Sequence, residues 1–298
     1  MQMAYGKSIE LFLVNGSADS LFTAELSNWN GKAIKIPRIE VASCNRDDIT
    51  QAGVYFLFCK EDDGSDSVYI GEAENVKERL VQHLRDYQSE KEKYYWTTAV
   101  IFIGRDLNKA LIRYLENRFV DIARACKRYT VLTKNTYKNT VMKESQIAVM
   151  EEFVDNVKTL ISALGYKVLE PLNKPVVVIE ENASDFDKKE LRLHLERTIK
   201  GVGKVNADGI RTSEGFVVLH GSHIAIEDDY TIPAVLKKKR KKASVVNGML
   251  QEDVLFSSPS YAAMFVIGKS ANGLTSWKDS DGHSLKEIEN KETTDENK

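Results

Sequence analysis

One stretch of the chain decides how its first half folds: YIGEAENVKERLVQH, Tyr69 to His83. Its first residues, together with Val68, form a short apolar run that is typical of a strand. From Asn75 to Leu84 apolar residues recur at helical spacing, and Asn75 itself occupies a favourable N-cap position. Arg79 and His83 are four positions apart, so a helix places them on one face. The stretch therefore predicts a strand, a turn and a helix that presents an arginine and a histidine together.

The neighbouring segments predict further strands and helices. Gly53 to Cys59 reads GVYFLFC, a β-branched and aromatic run typical of a strand, and Thr97 to Ile103 predicts another. Apolar residues at helical spacing then predict helices over about 108–126 and 144–164. Glu116 lies one position after the apolar stripe of the first of these helices.

Several residues occur in an informative order: Gly53-Val54-Tyr55, Tyr69-Ile70-Gly71, Arg79, His83, Glu116 and Asn135. Neither tripeptide is specific alone, but the arginine ten residues after Tyr69 and the later mid-helix glutamate make the set specific. Over about residues 52–135 this order resembles the GIY-YIG nuclease family, with a valine where the first motif has isoleucine. The resemblance implies an α/β (α+β) fold in which a small antiparallel sheet is flanked by helices, and a site that cuts nucleic acid.

Cutting a phosphodiester bond requires an activated water and neutralisation of charge on the phosphoryl oxygens. Glu116 offers a hard oxygen ligand for Mg²⁺ or Mn²⁺, and we expect it to be the metal ligand. Arg79 carries a planar, permanently charged guanidinium suited to phosphate oxygens. The resemblance brings Tyr55 and Tyr69 to one side of the site. Tyr55 is the expected general base, provided its pKa is lowered, and Tyr69 would orient the water.

The remaining motif residues have supporting roles. His83 is expected to hydrogen-bond substrate or assist proton movement. Asn135 is expected to brace the site or contact phosphate, although Asn139 in the same TKNTYKNT stretch could take that place. Gly53 and Gly71 are expected to allow close packing of the backbone or close approach of the nucleic-acid strand.

Each of these side chains also has an ordinary structural interpretation. Tyr55 and Tyr69 could be packing residues of the strands with hydroxyls at the edge. Glu116 could be a solvated helix residue paired with Arg113 or Arg118. It is the ordered combination that favours the catalytic interpretation.

A second resemblance covers about residues 214–278 and points to an uncharacterised C-terminal domain that accompanies such nucleases. The lead-in ELSNWNGKAIKIPR, Glu25 to Arg38, resembles the N-terminal extension of bacterial proteins with this arrangement. The predicted organisation is a β-rich extension (1–48), a nuclease domain with a closing helix (49–168), a linker (169–188), an α+β accessory domain (189–285) and a disordered tail (286–298).

Composition and charge limit the function classes. The formal net charge of the 298-residue chain is -2, so a nucleic-acid partner must be bound by local patches. Three scattered cysteines provide neither a disulfide framework nor a zinc ribbon. The N-terminus lacks a leader pattern and a long apolar run. These features predict a cytoplasmic protein without a membrane partner.

One basic run remains to be explained: Lys237, Lys238, Lys239, Arg240, Lys241 and Lys242. Six consecutive cations are expected to stay exposed, where they could bind phosphates by counterion release or simply form a solvated face.

The function expected is a metal-dependent endonuclease that acts on nucleic acid, DNA more than RNA. One alternative is a catalytically silent nucleic-acid-binding or scaffold protein with the same fold, and another is a ligand-responsive interaction module. Because one domain supplies one active site, cutting both strands would require a homodimer or two successive events.

Overall fold

The computed structural model describes residues 6–61, 65–134, 136, 141–172, 191–199 and 203–295. The chain divides into two compact units, Met1–Pro171 and Leu172–Lys298. Most of the predicted linker, residues 173–188, lies outside the described residues. Across the described part, none of the helices combines the length and the apolarity that crossing a bilayer requires.

Within the described residues, the first unit is built on a seven-stranded sheet in the order β1-β2-β3-β6-β4-β5-β7. The strands are β1 (Ile9–Leu13), β2 (Phe22–Leu26), β3 (Lys32–Pro37), β4 (Gly53–Lys60), β5 (Asp66–Ala73), β6 (Trp96–Ile103) and β7 (Thr130–Val131). Neighbouring strands are antiparallel except β5 and β7, which are parallel. Because β3 pairs with β6, the N-terminal strands continue the same sheet.

Three helices cover the two faces of this sheet: α1 (Val76–Gln88), α2 (Lys109–Cys126) and α3 (Glu144–Ala163). The side chains of β4 point alternately to the two faces of the sheet, as successive side chains of any strand do. Val54 and Phe56 belong to the core shared with α2 and α3. Tyr55 and Leu57 belong to the core shared with α1. Residues of one strand therefore reach both helical layers.

The ends of these helices follow from local hydrogen bonding. The Asn75 side chain accepts from the Glu78 amide, and the Asn108 side chain accepts from the amides of Ala110 and Leu111. Both asparagines satisfy donors that a helix N-terminus leaves open. The N-cap predicted at Asn75 is confirmed, and it fixes the residue at which α1 begins.

In the described part of the second unit, four strands form a sheet in the order β13-β10-β9-β8, and β11 and β12 form a hairpin. Its strands are β8 (Arg192–Ile199), β9 (Gly203–Thr212), β10 (Gly215–Val218), β11 (Val245–Val246), β12 (Met249–Leu250) and β13 (Val254–Phe256). Its helices are α4 (Ala234–Lys242), α5 (Pro259–Ile267), α6 (Gly273–Ser276) and α7 (Leu285–Asp295). The predicted mixed fold with a separate α+β C-terminal unit is confirmed.

The tail from residue 286, predicted to be disordered, is instead helical through Asp295. Ser284 and Glu287 explain the difference. The Glu287 carboxylate accepts from the Ser284 amide at 2.7 Å, and the Ser284 hydroxyl accepts from the Glu287 amide at 3.4 Å. This reciprocal capping box starts α7. Leu285 is fully buried and Ile288 packs against the same core, so two apolar side chains anchor a charged helix.

Candidate active site

A cavity of about 780 Å³ opens at one edge of the first sheet. The side chains that matter for chemistry along its wall are Tyr55, Tyr69, Glu72, Arg79, Lys109 and Glu116. They come from β4, β5, α1 and α2, so both helical layers contribute to one space. Four of the predicted site residues, the two tyrosines, Arg79 and Glu116, thus line the same cavity.

The position of the cavity follows from how β5 is paired. The edge strand β7 pairs with β5 through Ser67 and Val68. The Thr133 hydroxyl then accepts from the Ile70 amide at 2.8 Å and donates to the Ile70 carbonyl at 2.7 Å. Tyr69 before this bond, and Glu72 and Ala73 after it, line the cavity. The end of β5 is therefore the place where side chains from both faces of the sheet meet.

Gly71 makes room for the buried phenol of Tyr55. The two residues are paired directly across β4 and β5. A Cβ atom at position 71 would lie 2.4 Å from the Tyr55 hydroxyl oxygen and 2.9 Å from the Tyr69 ring. At Gly53 a Cβ atom would lie 2.6 Å from the Phe102 carbonyl oxygen. Both motif glycines are thus required for close packing, one beside a site side chain and one beside backbone.

A Gly71→Ala substitution is therefore expected to destabilise the first unit by about 1–3 kcal/mol, the usual cost of overpacking a core. The added methyl group must displace the Tyr55 phenol, which is fully buried. Urea denaturation measures the effect. Gly6→Ala is the control because a Cβ atom there meets nothing within 4 Å. If Gly71→Ala were as stable as the wild type, the phenol would not be fixed by its neighbours.

Tyr55 is the centre of a buried chain of hydrogen bonds. Arg79 Nε donates to the Tyr55 hydroxyl oxygen at 3.3 Å, and that oxygen is 2.9 Å from His83 Nε2. His83 Nδ1 is in turn 2.6 Å from Glu92 Oε1. The tautomer of His83 sets whether the phenol donates to the ring or accepts from it. His83 lies behind Tyr55 and is itself fully buried.

The two tyrosines are neutral phenols near neutral pH. Burial, followed by the neighbouring Tyr69, raises the pKa of Tyr55 well above its ordinary value, and Arg79 opposes the shift. Burial likewise raises the pKa of Tyr69, again against Arg79. The condition set for Tyr55 as a general base, a lowered pKa, is therefore not met, because packing of α1 over β4 removes water from the phenol. A proton can still be relayed through the hydroxyl to His83.

Glu116 is buried at the cavity wall, and its pKa is raised to about 7. Burial is the main cause and the Glu72 charge adds to it, while Lys109, Arg79 and Arg113 oppose the rise. Of the two partners considered from the sequence, Arg118 is instead held by Glu151 at 2.6 and 2.7 Å. Glu116 itself lines the cavity.

The donor set fits a hard divalent cation. Glu116 is a carboxylate oxygen donor beside open space, as Mg²⁺ prefers when it keeps waters and substrate oxygens as its other ligands. A bound cation would also offset the burial that disfavours the charged form of Glu116.

Three residues outside the predicted set adjoin it: Glu72 and Lys109 line the cavity, and Glu92 contacts His83. Lys109 Nζ lies 2.9 Å from Glu72, and Arg113 Nε lies 3.9 Å from the same carboxylate. Lys109 precedes Glu116 by two helical turns, a spacing that places both on one face of α2. Glu72 directly follows the Tyr69-Ile70-Gly71 motif. These two positions carried a usable signal, whereas Glu92 lies in the polar segment between α1 and β6.

Two predicted positions cannot be placed in the site. Asn135 lies outside the described residues, as does its alternative, Asn139. Their expected roles stay predictions.

The basic run does not form a uniformly exposed face. Arg240 is buried, with its guanidinium bonded to Asp228 and to the carbonyls of Ala225 and Phe265. Lys239 donates to the Leu255 carbonyl and lies 4.5 Å from the centre of the Phe256 ring. The expectation that all six cations stay in water was wrong, because α4 turns one side of the run toward the core. Lys238, Lys241 and Lys242 are exposed.

Two parts of the chain match family models. Residues 51–130 match the GIY-YIG catalytic domain, and residues 198–289 match a domain of unknown function, DUF4357. The predicted family resemblance and two-part architecture are confirmed. The first match indicates a nuclease family, whose members generally use divalent metal ions. Searches of curated proteins and of solved structures found no match to the chain.

Proposed function

We propose that this chain, which joins a GIY-YIG catalytic domain to a DUF4357 domain, is an endonuclease that hydrolyses phosphodiester bonds in nucleic acid, DNA in preference to RNA. One observation carries the proposal. Glu116, Arg79 and Tyr55 line one cavity, with His83 Nε2 at hydrogen-bond distance from the buried Tyr55 hydroxyl. These groups supply a metal ligand, a phosphate-binding cation and a route for a proton.

The charge of the cavity supports a requirement for a divalent cation. Among the described lining residues, four glutamates (Glu72, Glu74, Glu78 and Glu116) face two basic residues, Arg79 and Lys109. Lys109 is already paired with Glu72. An anionic phosphate would be repelled by this wall. Mg²⁺ or Mn²⁺ held by Glu116 would supply the missing positive charge and polarise the phosphoryl group.

Arg79 is placed to stabilise the phosphoryl group through its remaining N–H donors. Its Nε donates to the Tyr55 hydroxyl, a further hydrogen bond joins the guanidinium to Tyr69, and the group reaches the cavity from α1. Planar N–H pairs match phosphate oxygens, and the fixed positive charge offsets the negative charge that develops as water attacks phosphorus. Tyr69 lies on the same side of the sheet, with its ring centre 6.3 Å from that of Tyr55, and would orient the attacking water.

The proton of the attacking water passes through Tyr55 in this proposal. The phenol accepts that proton while it gives its own to His83 Nε2, so no free phenolate has to form. This agrees with the raised pKa of Tyr55, which results first from burial. The imidazole is the final acceptor, and the hydroxyl carries the proton from the cavity to the buried ring.

The metal requirement is expected to depend on pH because Glu116 must be ionised to bind a cation. The pKa of Glu116 is raised to about 7 by burial and by Glu72. Below that value the carboxylate fraction falls about tenfold per pH unit. The Mg²⁺ concentration for half-maximal cleavage should therefore fall as pH rises toward 7 and level off above it. A half-maximal Mg²⁺ concentration that is constant from pH 5 to 8 would contradict the assignment of Glu116 as the metal ligand.

The proposal is tested by incubating the full chain with supercoiled DNA, linear DNA and single-stranded RNA, with Mg²⁺, Mn²⁺ or a chelator. Arg79→Ala is compared with Arg85→Ala, which removes an exposed arginine from the same helix. We expect metal-dependent cleavage by the wild type and Arg85→Ala, with DNA cut faster than RNA, and little cleavage by Arg79→Ala. Binding without cleavage on every substrate would favour a silent nucleic-acid-binding protein instead.

The exposed lysines of α4 support a weaker proposal, that the C-terminal unit contacts the phosphate backbone. Lys238 and Lys241 are exposed, whereas Arg240 anchors the helix. Contacts of this kind release counterions, so affinity should fall with salt. The described residues form one cavity with this set of side chains, so cleavage of both strands would require two copies or two successive events.

A further inference from the structure

Glu92 contacts the proton route at its far end. It lies in the segment between α1 and β6, and its Oε1 is 2.6 Å from His83 Nδ1. The side chain of His83 is fully buried, and that of Glu92 is 15% exposed. A carboxylate this close to a buried imidazole makes a directional contact and not a fluctuating surface pair.

The contact determines which nitrogen of His83 carries a proton. An ionised carboxylate only accepts hydrogen bonds, so His83 Nδ1 must be the donor. In a neutral imidazole Nε2 then has the free lone pair. That lone pair faces the Tyr55 hydroxyl at 2.9 Å, and the same hydroxyl oxygen already accepts from Arg79. Every donor in this series of hydrogen bonds therefore points in one direction, from Arg79 through Tyr55 and His83 to Glu92.

We propose that Glu92 is a positioning residue that fixes the tautomer of His83, so that the imidazole can accept the proton of Tyr55 during hydrolysis. This inference rests on the proposed nuclease function. Glu92 contacts neither the substrate nor the attacking water and acts only through His83.

The proton balance defines the role of each group. As the water oxygen bonds to phosphorus, one water proton moves to the Tyr55 oxygen and the phenol proton moves to His83 Nε2. The bond from phosphorus to the leaving oxygen breaks, and that oxygen takes a proton from solvent. Glu92 remains ionised and stabilises the imidazolium. The proton then returns through Tyr55 to solvent, which restores the starting state.

A Glu92→Gln variant separates positioning from simple packing. Glutamine has nearly the same shape, but its amide can donate as well as accept, so it no longer requires a proton on Nδ1. We expect cleavage at saturating DNA to fall by about 10- to 100-fold. DNA affinity should stay within about twofold, because Glu92 does not contact substrate in this account. Glu90→Gln is the control, since Glu90 is an exposed glutamate of the same segment.

The tautomer is measured on the free protein by ¹⁵N NMR of the histidine rings. The chain has five histidines, and the His83 signals are assigned by their loss in His83→Asn. The wild type and Glu90→Gln should show a protonated Nδ1 and a free Nε2, and Glu92→Gln should show a mixed or reversed pattern.

Two results would overturn the inference: a wild-type His83 protonated at Nε2 alone, or a Glu92→Gln protein that cuts at the wild-type rate. Loss of cleavage with an unchanged ring pattern would also overturn it and assign Glu92 a structural role. If the wild type cut no nucleic acid, the proposed function and the catalytic part of this inference would both fail. A changed ring pattern in Glu92→Gln would then still establish the positioning contact by itself.

Discussion

Glu116→Gln is expected to lower metal-dependent cleavage by on the order of 10³-fold, equivalent to about 4 kcal/mol of transition-state stabilisation. The glutamine keeps the size of the side chain but removes the anionic ligand. Since Glu116 is the buried carboxylate that faces the cavity from α2, the cation would lose its anchor there. Single-turnover nicking of supercoiled DNA measures the loss.

The matched control for this variant is Asp121→Asn. Asp121 is an exposed carboxylate on the same helix, so its neutralisation changes net charge equally without altering the cavity. We expect wild-type cleavage from Asp121→Asn. Because burial already raises the pKa of Glu116, the neutral glutamine should leave thermal stability similar or slightly improved. A folded Glu116→Gln protein with wild-type cleavage would exclude Glu116 as the metal ligand.

Tyr55→Phe is expected to reduce cleavage by about 10²- to 10³-fold, in the range of lost general acid or base catalysis. The substitution keeps the ring in the core and removes only the hydroxyl. Without that oxygen the attacking water has no route to His83 Nε2, and Arg79 Nε loses a partner. The cleavage rate at saturating substrate should fall, whereas DNA affinity should change little.

Tyr129→Phe controls for the loss of a tyrosine hydroxyl in the same unit. Its ring packs against Phe58 on the other face of the sheet, with centres 5.9 Å apart. We expect Tyr129→Phe to cut at the wild-type rate. Equal losses in the two variants would mean that the effect of Tyr55→Phe comes from stability and not from proton transfer.

The family resemblance was sufficient to predict which motif residues meet, since Tyr55, Tyr69, Arg79 and Glu116 line one cavity. Local patterns placed these residues on strands and helices but not beside one another. His83 was correctly placed one turn from Arg79. Its bond to Tyr55 depends on how α1 packs over β4, and no local pattern contains that information. The catalytic roles of all these residues stay predictions.

The protonation states could not be predicted from the sequence. The raised pKa of Tyr55 results first from burial, which depends on the whole α1 layer. The raised pKa of Glu116 depends on burial and on Glu72, which approaches it from a different element. Glu92 lies nine residues beyond His83 in a polar stretch, where nothing distinguishes it from other surface glutamates.

Several strands were not predicted from the sequence, β9 and β2 among them. β9 reads GKVNADGIRT, with glycine, asparagine and aspartate inside it. It is a strand because β8 and β10 pair with it on either side, so tertiary pairing overrides local propensity. β2, with the sequence FTAEL, is short and is likewise held between β1 and β3.

The basic run shows the limit of composition as a guide to exposure. Six consecutive cations show no periodic pattern of apolar residues that would predict a buried face. In α4, however, Arg240 lies one turn after the buried Leu236 and therefore on the same face of the helix. The guanidinium is tolerated inside because Asp228 and two backbone carbonyls satisfy it.

We propose that the cavity between α1 and α2 cuts nucleic acid with a divalent cation. The most direct test is the nicking rate of the wild-type chain on supercoiled DNA as Mg²⁺ is raised from zero, with enzyme in excess. We expect a rate that rises to a plateau with Mg²⁺ and disappears in chelator. A chain that binds the DNA but leaves it intact at every Mg²⁺ concentration, or that cuts equally well in chelator, would contradict it.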